Sequence, residues 1–145
     1  MPEKDKFLEI MGSRISAVID KEKRLYFEVQ DKNLEDVVNY LFHKMGCRLS
    51  TATAMETFRG VEVLYHFSHD ASGYYFCPRI VMTDKDNPVM HSITPIFNGA
   101  AWIEREMAEY WNVTFLNHPR PEPLLTKNHP KGEGLNQPFR IRRKS

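Results

Sequence analysis

The clearest periodic pattern in the chain predicts an amphipathic helix over residues 34–45. Apolar residues recur there at helical spacing, which places them on one face: Leu34, Val37, Val38, Leu41, Phe42 and Met45. Asn33 is a candidate N-cap, and Gly46 stands where helices commonly end. We therefore predict that this helix packs its apolar face on a sheet.

Alternating apolar and polar positions predict strands on both sides of this helix. The residues before Arg24 predict a short helix and then a strand, which forms a hairpin with a second strand over residues 24–29. After the helix, three strands form a meander over residues 48–57, 61–68 and 74–82. Pro78 in the last of them indicates a sheet edge or a bulge, because proline cannot donate a ladder hydrogen bond.

The remaining pattern predicts one more helix and an irregular end. A turn at Asn98 and Gly99 precedes a helix over residues 101–111, and apolar periodicity disappears after Leu125. The expected fold class is α+β, with a mainly antiparallel sheet, helices packed on one face and an extended C-terminal tail. We predict a single domain over residues 1–125, followed over residues 126–145 by a tail that is mobile or ordered by a partner.

Composition narrows the possible functions. The 145 residues carry a formal net charge of +1, which argues against a strongly basic nucleic-acid-binding surface. No apolar run approaches the roughly 18 residues of a membrane-spanning helix, and the first residues lack the apolar core of a secretion signal. Cys47 and Cys77 lack the spacing of a metal site or a disulfide framework, so reduced thiols in a cytosolic protein are expected.

The most distinctive chemistry lies at Glu104, Arg105 and Glu106, within the predicted helix. Two residues apart on a helix, the glutamates point about 200° from each other, which disfavours a shared acid–base role. Paired, buried charges of a structural kind are favoured instead. One alternative stays open, a small enzyme that uses Glu106, Glu109 and His118 in a pocket.

A second alternative is an RNA-binding sheet face, suggested by its aromatic residues: Tyr65, Phe67, Tyr74, Tyr75 and Phe76. Core packing is favoured, because no glycine–aromatic motif accompanies them. His66 and His69 are disfavoured as a metal pair, since strand positions three apart point to opposite faces.

Residues 92–125, SITPIFNGAAWIEREMAEYWNVTFLNHPRPEPLL, resemble the signature of the respiratory-chain NADH dehydrogenase (complex I) 30 kDa subunit family. The resemblance covers about residues 24–125 and includes the homologous subunit of membrane-bound NiFe hydrogenases. The chain departs from the family pattern at Glu109, Trp111 and Asn117, where Asp, Phe and Gly are usual. The matching residues are Ser92, Pro95, Asn98, Gly99, Ala100, Trp102, Glu104, Arg105, Glu106, Phe115, His118 and Pro119.

The resemblance implies a non-catalytic structural subunit of the hydrophilic arm of a complex I-like NADH:quinone oxidoreductase or a related membrane-bound hydrogenase. Its partners would be a large subunit, 49 kDa-like or of the hydrogenase type, and a small cluster-bearing subunit, with no nucleic acid. Iron–sulfur clusters, flavin or a NiFe centre are expected only in those partners. The expected location is cytoplasmic, at the inner face of the cell membrane, with membrane contact only through the complex and possible self-association when isolated.

Two sets of residues are assigned to contacts with partners on this basis. The first set is the family signature: Ser92, Pro95, Trp102, Glu104, Arg105, Glu106, Glu109, His118 and Pro119. The second set lies in the basic tail, where apolar and charged residues alternate, and is expected to dock on a partner subunit: Phe139, Arg140, Ile141 and Arg142.

Overall fold

The computed structural model describes residues 2–96 and 98–118. Short 3-10 turns occupy Gly12–Arg14 and Asn98–Ala100, and a π-helical turn occupies Tyr40–Lys44. The helices are α1 (Pro2–Met11), α2 (Asp31–Asn39) and α3 (Ala101–Trp111). The strands are β1 (Ile15–Lys21), β2 (Arg24–Val29), β3 (Arg48–Thr57), β4 (Gly60–His69), β5 (Tyr74–Met82), β6 (Val89–His91) and β7 (Thr114–Leu116).

Five strands form a mixed sheet in the order β1-β2-β5-β4-β3. β1 and β2 pair as an antiparallel hairpin, whereas β2 and β5 are parallel. The links from β3 to β4 and from β4 to β5 are too short for anything but antiparallel neighbours. The predicted α+β class and the meander are confirmed. The sheet also contains one parallel pair that the sequence does not predict, because β5 lies beside β2.

Pro78 does not mark a sheet edge, so the prediction of an edge is wrong. β5 lies between β2 and β4, and Pro78 is buried opposite Phe27 in an unbroken register. Each strand residue directs its N–H toward one neighbouring strand, so a single proline removes one donor from one ladder. A central strand of a five-stranded sheet therefore remains paired on both sides when one hydrogen-bond donor is missing.

The predicted start of the second helix is also wrong, whereas its end is close to the prediction. α2 begins at Asp31 with Gln30 as N-cap, and Asn33 lies in the first turn, where its N–H donates to the Gln30 carbonyl at 2.9 Å. Asp31 favours the earlier start, because a carboxylate stabilises the positive end of the helix dipole. The π-helical turn ends before Gly46, whose φ of +70° suits glycine.

The chain divides into two compact units, Met1–Ala52 with Val63–Val81 and Thr53–Glu62 with Met82–Ser145. The division leaves the prediction of one domain through residue 125 untested, because residues 119–145 lie outside the described part of the chain. Each unit has its own apolar core.

In the first unit, Phe7 of α1 is the centre of an aromatic cluster. Its ring lies 5.2 Å from Phe27 of β2, 5.4 Å from Phe76 of β5 and 5.9 Å from Tyr40. Of the apolar face predicted for α2 and the π-helical turn, Leu34, Val37, Val38 and Leu41 are at most 1% exposed. The last two residues of that face, Phe42 and Met45, are only half-buried. Both helices of this unit therefore contribute to one core, through contacts that the chain brings together from distant positions.

In the second unit, α3 connects the two parallel strands β6 and β7, which makes a short βαβ unit. α3 has the bounds that the sequence predicts, and Asn112 ends it in the left-handed conformation with a φ of +58°. The apolar core of this unit comes from the strands, the helix and their connections: Met90, Ile93, Ala100, Met107, Val113 and Phe115.

Candidate functional site

The first turn of α3 carries a carboxylate that is completely buried. Glu104 is 0% exposed, and the loop after β6 supplies three hydrogen-bond donors to it. The Ser92 hydroxyl and the Thr94 hydroxyl donate to Oε1, the latter at 2.8 Å, and the Ile93 N–H donates to Oε2 at 2.9 Å. We refer to Ser92, Ile93, Thr94, Glu104 and His118 as the Glu104 cluster.

The loop that supplies these donors is itself fixed by hydrogen bonds. The Ser92 N–H donates to the Leu116 carbonyl at 2.8 Å, which continues the pairing of β6 with β7. The Thr94 N–H donates to the Ser92 hydroxyl at 3.0 Å. This hydroxyl turn folds the loop so that the Ser92 and Thr94 hydroxyls both reach the same carboxylate oxygen of Glu104.

His118, which follows β7 in the sequence, completes the cluster. Its side chain is 2% exposed, and its Nε2 donates to the Ala101 carbonyl at 3.2 Å. The same nitrogen lies 3.9 Å from Glu104 Oε1. His118 therefore holds the segment after β7 against the start of α3.

The hydrogen bonds of the Glu104 cluster stabilise the local fold. Burying a carboxylate is unfavourable unless hydrogen bonds replace its hydration, and each bond to a charged group contributes about 1.5–3 kcal/mol. Here three donors from the chain itself surround the Glu104 carboxylate. The cluster therefore connects the loop after β6, the first turn of α3 and, through His118, the end of β7.

The residues of the enzyme alternative lie in different environments. Glu106 is exposed, Glu109 is 6% exposed, and His118 is buried against Ala101. Glu106 and Glu109 share a helical face in projection, yet they do not form a pair of equally accessible carboxylates. A ligand at the surface would therefore contact Glu106 but not Glu109.

The aromatic residues of the RNA-binding alternative are largely inside the first unit. Tyr65, Phe67 and Phe76 are 0% exposed, whereas stacking on a base requires an open ring face. Tyr74 and Tyr75 are only partly exposed. Tyr65, Phe67 and Phe76 therefore belong to the core, whereas the Tyr74 hydroxyl donates to Asp20 and Arg24 lies over the Tyr75 ring.

In the first unit, one histidine and one cysteine that are both shielded from solvent lie in contact. His66 Nδ1 lies 3.6 Å from Cys77 Sγ, and burial raises the pKa of this thiol to about 11. Burial, followed by the charge of Arg24, lowers the pKa of His66. Across residues 2–96 and 98–118, no group of three histidine, cysteine, aspartate or glutamate side chains is placed to hold a metal ion.

Sequence reasoning singled out Ser92, Glu104 and His118, which the structure brings together, and it missed Thr94 and the Ile93 N–H. The available signal was the Ser-x-Thr spacing ahead of a helix with an early glutamate. Pro95, Trp102 and Glu106 are exposed, and Arg105 is half-buried. The other predicted contact residues lie outside the described part of the chain: Pro119, Phe139, Arg140, Ile141 and Arg142.

Comparison with solved structures shows a known fold. The chain matches a trypsin-resistant fragment of Nqo5 with a TM-score of 0.68 at 16% identity, covering 83% of this chain and 99% of the fragment. It also matches a chain of the membrane-bound sulfane sulfur reductase, an archaeal respiratory membrane complex, with a TM-score of 0.70 at 20% identity, covering 81% and 70%. The fold is therefore one that occurs in a respiratory membrane complex.

The family follows from sequence. Residues 27–145 match the model of the respiratory-chain NADH dehydrogenase 30 Kd subunit, and the chain belongs to this family. It is 30% identical over 121 residues to an NADH-quinone oxidoreductase subunit of Ruegeria pomeroyi, covering 79% of this chain and 60% of that protein. It is 31% identical over 75 residues to an NADH-quinone oxidoreductase subunit of Bacteroides thetaiotaomicron, covering 52% and 14%.

The chain spans less than two thirds of the length of these two relatives. Among the described residues, no helix is long and apolar enough to cross a membrane.

Proposed function

We propose that this chain is a non-catalytic structural subunit of the hydrophilic arm of a complex I-like NADH:quinone oxidoreductase or a related membrane-bound hydrogenase. The observation that carries the proposal is the Glu104 cluster. The Glu104 carboxylate, the most distinctive charged group of the family segment, accepts hydrogen bonds from its own chain. A buried polar group satisfied in this way stabilises the fold. Membership of the 30 Kd subunit family supports the choice of a respiratory complex as the parent complex.

The proposed partners are a large electron-transfer subunit and a small cluster-bearing subunit. In this proposal the iron–sulfur clusters, flavin or NiFe centre belong to those subunits, and this chain holds the large subunit in position. The complex places the chain on the cytoplasmic side, peripheral to the inner face of the cell membrane. The similarity in fold to a chain of an archaeal respiratory membrane complex supports this arrangement.

The C-terminal segment has a proposed role of its own. Phe139 and Ile141 alternate with Arg140 and Arg142, so two apolar anchors stand among positive charges. We propose that this segment binds the surface of a partner subunit. Removal of residues 137–145 is expected to weaken the association with the large subunit, and unchanged copurification would contradict the proposal.

The central experiment is purification of the native complex through an affinity tag on this chain, followed by mass spectrometry of the copurified subunits. Recovery of an oxidoreductase or hydrogenase large subunit in a stoichiometric amount supports the proposal. Recovery of the chain alone, under conditions that leave respiratory complexes intact, would contradict it. Absorbance of the separately purified chain provides the second measurement, because a flavin or iron–sulfur band from this chain would assign it an electron-transfer role.

A further inference from the structure

The outer face of α3 carries large aromatic side chains where a solvent-facing helix ordinarily carries polar ones. Trp102 is 59% exposed and Tyr110 is 43% exposed. Glu106, also exposed, lies between them at a spacing of four residues from each. We refer to Trp102, Glu106 and Tyr110 as the α3 stripe.

The geometry of a helix places these three side chains in line. At 3.6 residues per turn they fall within an arc of about 80°, and at 1.5 Å per residue the two aromatic positions are about 12 Å apart. On the opposite side of the helix Glu104 is 0% exposed, and beside the stripe Met107 is 6% exposed. Glu109, about 20° from Trp102 in projection, is also only 6% exposed, so the open surface of α3 is a narrow stripe and not a whole helical face.

The stripe is also partly held in place before any partner binds. The ring of Tyr110 lies 5.6 Å from that of the half-buried Trp111. The Glu104 cluster anchors the first turn of α3, next to Trp102. A backbone that hydrogen bonds hold in place and a ring that packs on a neighbour lose less entropy on binding, which favours a specific contact.

We infer that the α3 stripe binds an arginine-bearing segment of the large subunit, with apolar residues beside the arginine. A carboxylate between two aromatic rings suits a guanidinium, which pairs with carboxylate oxygens through two parallel hydrogen bonds and also stacks on ring faces. The flanking apolar residues would cover the rings. This inference rests on the proposed function and names the surface and the partner chemistry through which it acts.

Exposure alone does not distinguish the stripe. Phe58, between β3 and β4, is 94% exposed, but single exposed apolar side chains are common on protein surfaces. The α3 stripe differs because it combines two rings with a charge at regular spacing. Phe58 therefore provides a control position that is more exposed and lacks this pattern.

The first test measures recovery of the native complex through the tagged chain after a charge reversal and after removal of an aromatic ring. Glu106→Arg and Trp102→Ala are each expected to reduce the recovered large subunit at least tenfold, whereas Glu35→Arg on the exposed side of α2 leaves recovery unchanged. Thermal unfolding of each variant, followed by circular dichroism, verifies that the chain folds. Recovery equal to wild type for both stripe variants would overturn the inference and leave the proposed function intact.

The second test identifies the occupant by photo-crosslinking. A benzoylphenylalanine at position 102 is expected to cross-link to a peptide of the large subunit that contains arginine, and the same probe at position 58 is expected to give a different peptide or none. Reversal of that arginine to glutamate, combined with Glu106→Arg, is then expected to restore recovery.

Other cross-linking products would overturn the inference in distinguishable ways. A product with residues 137–145 of the same chain would assign the stripe to its own tail, and a product with a second copy would assign it to self-association. If the wild-type chain recovers no large subunit at all, the proposed function and the inference both fail.

Discussion

Glu104 and Glu106 lie two residues apart on α3, yet Glu104 is fully buried and accepts three hydrogen bonds while Glu106 is exposed. The separation follows from helical geometry, which turns them about 200° from each other. One glutamate supports the fold of the second unit, and the other is available at the surface. The two residues therefore provide a matched pair for mutation on a single helix.

Glu104→Gln is expected to lower the free energy of unfolding by about 2–4 kcal/mol, because an amide replaces a carboxylate among donors that then lack a charged acceptor. Glu106→Gln is expected to change it by no more than about 0.5 kcal/mol. Urea denaturation followed by circular dichroism measures both. Equal denaturation midpoints for the two variants would show that the carboxylate of Glu104 stabilises the chain no more than an amide does.

Gly60 lies at the start of β4 with a φ of +144°, and a methyl group there would lie 2.0 Å from the Met82 carbonyl oxygen. Gly60→Ala is therefore expected to destabilise the chain by about 3 kcal/mol or more, through backbone strain and displacement. Gly12→Ala is the control, since no atom lies within 4 Å of the added carbon. Thermal unfolding distinguishes them, and a Gly60→Ala chain as stable as the control would contradict the close approach.

Cys47 and Cys77 are both buried. Burial raises the pKa of the Cys47 thiol to about 12 and that of the Cys77 thiol to about 11. Because only thiolates react rapidly, we expect negligible labelling of the folded chain by a thiol reagent at pH 8 and labelling of both thiols in urea. Rapid labelling of either cysteine in the folded chain would refute this prediction.

His66 provides a pH-dependent contribution to stability. Burial, with the charge of Arg24 second, lowers its pKa in the folded chain below the ordinary value of about 6.5. The unfolded chain thus takes up the proton at higher pH. The stability contributed by neutral His66 is complete above pH about 6.5 and is lost as the pH falls through the lowered folded value.

The melting temperature of wild type is therefore expected to decrease between pH 7.5 and pH 5, and His66→Gln is expected to reduce that slope. His43 is exposed, so His43→Gln is the control that should retain the wild-type slope. A slope that is the same for wild type and His66→Gln would rule out His66 as its source.

Local pattern alone was sufficient for most helices and strands of this protein. The apolar stripe of α2, the bounds of α3 and the strands of the meander follow from periodicities of 3.6 and 2 residues, which depend only on neighbours in the chain. The family segment over residues 92–125 was likewise visible in the sequence, and the family is confirmed. The start of α2 was the exception, because Asn33 and Asp31 each satisfy a local rule for helix beginnings and only the folded chain decides between them.

Tertiary structure alone decided which strands pair and which residues surround Glu104. The parallel pairing of β2 with β5 places Pro78 in a central strand, and nothing in either strand's own pattern specifies that neighbour. Likewise, the sequence marked Ser92, Glu104 and His118 as special, but the hydrogen bonds that surround Glu104 come from positions ten to twelve residues away. Periodicity specifies which face of an element is apolar, whereas packing of the whole chain selects the partner that covers that face.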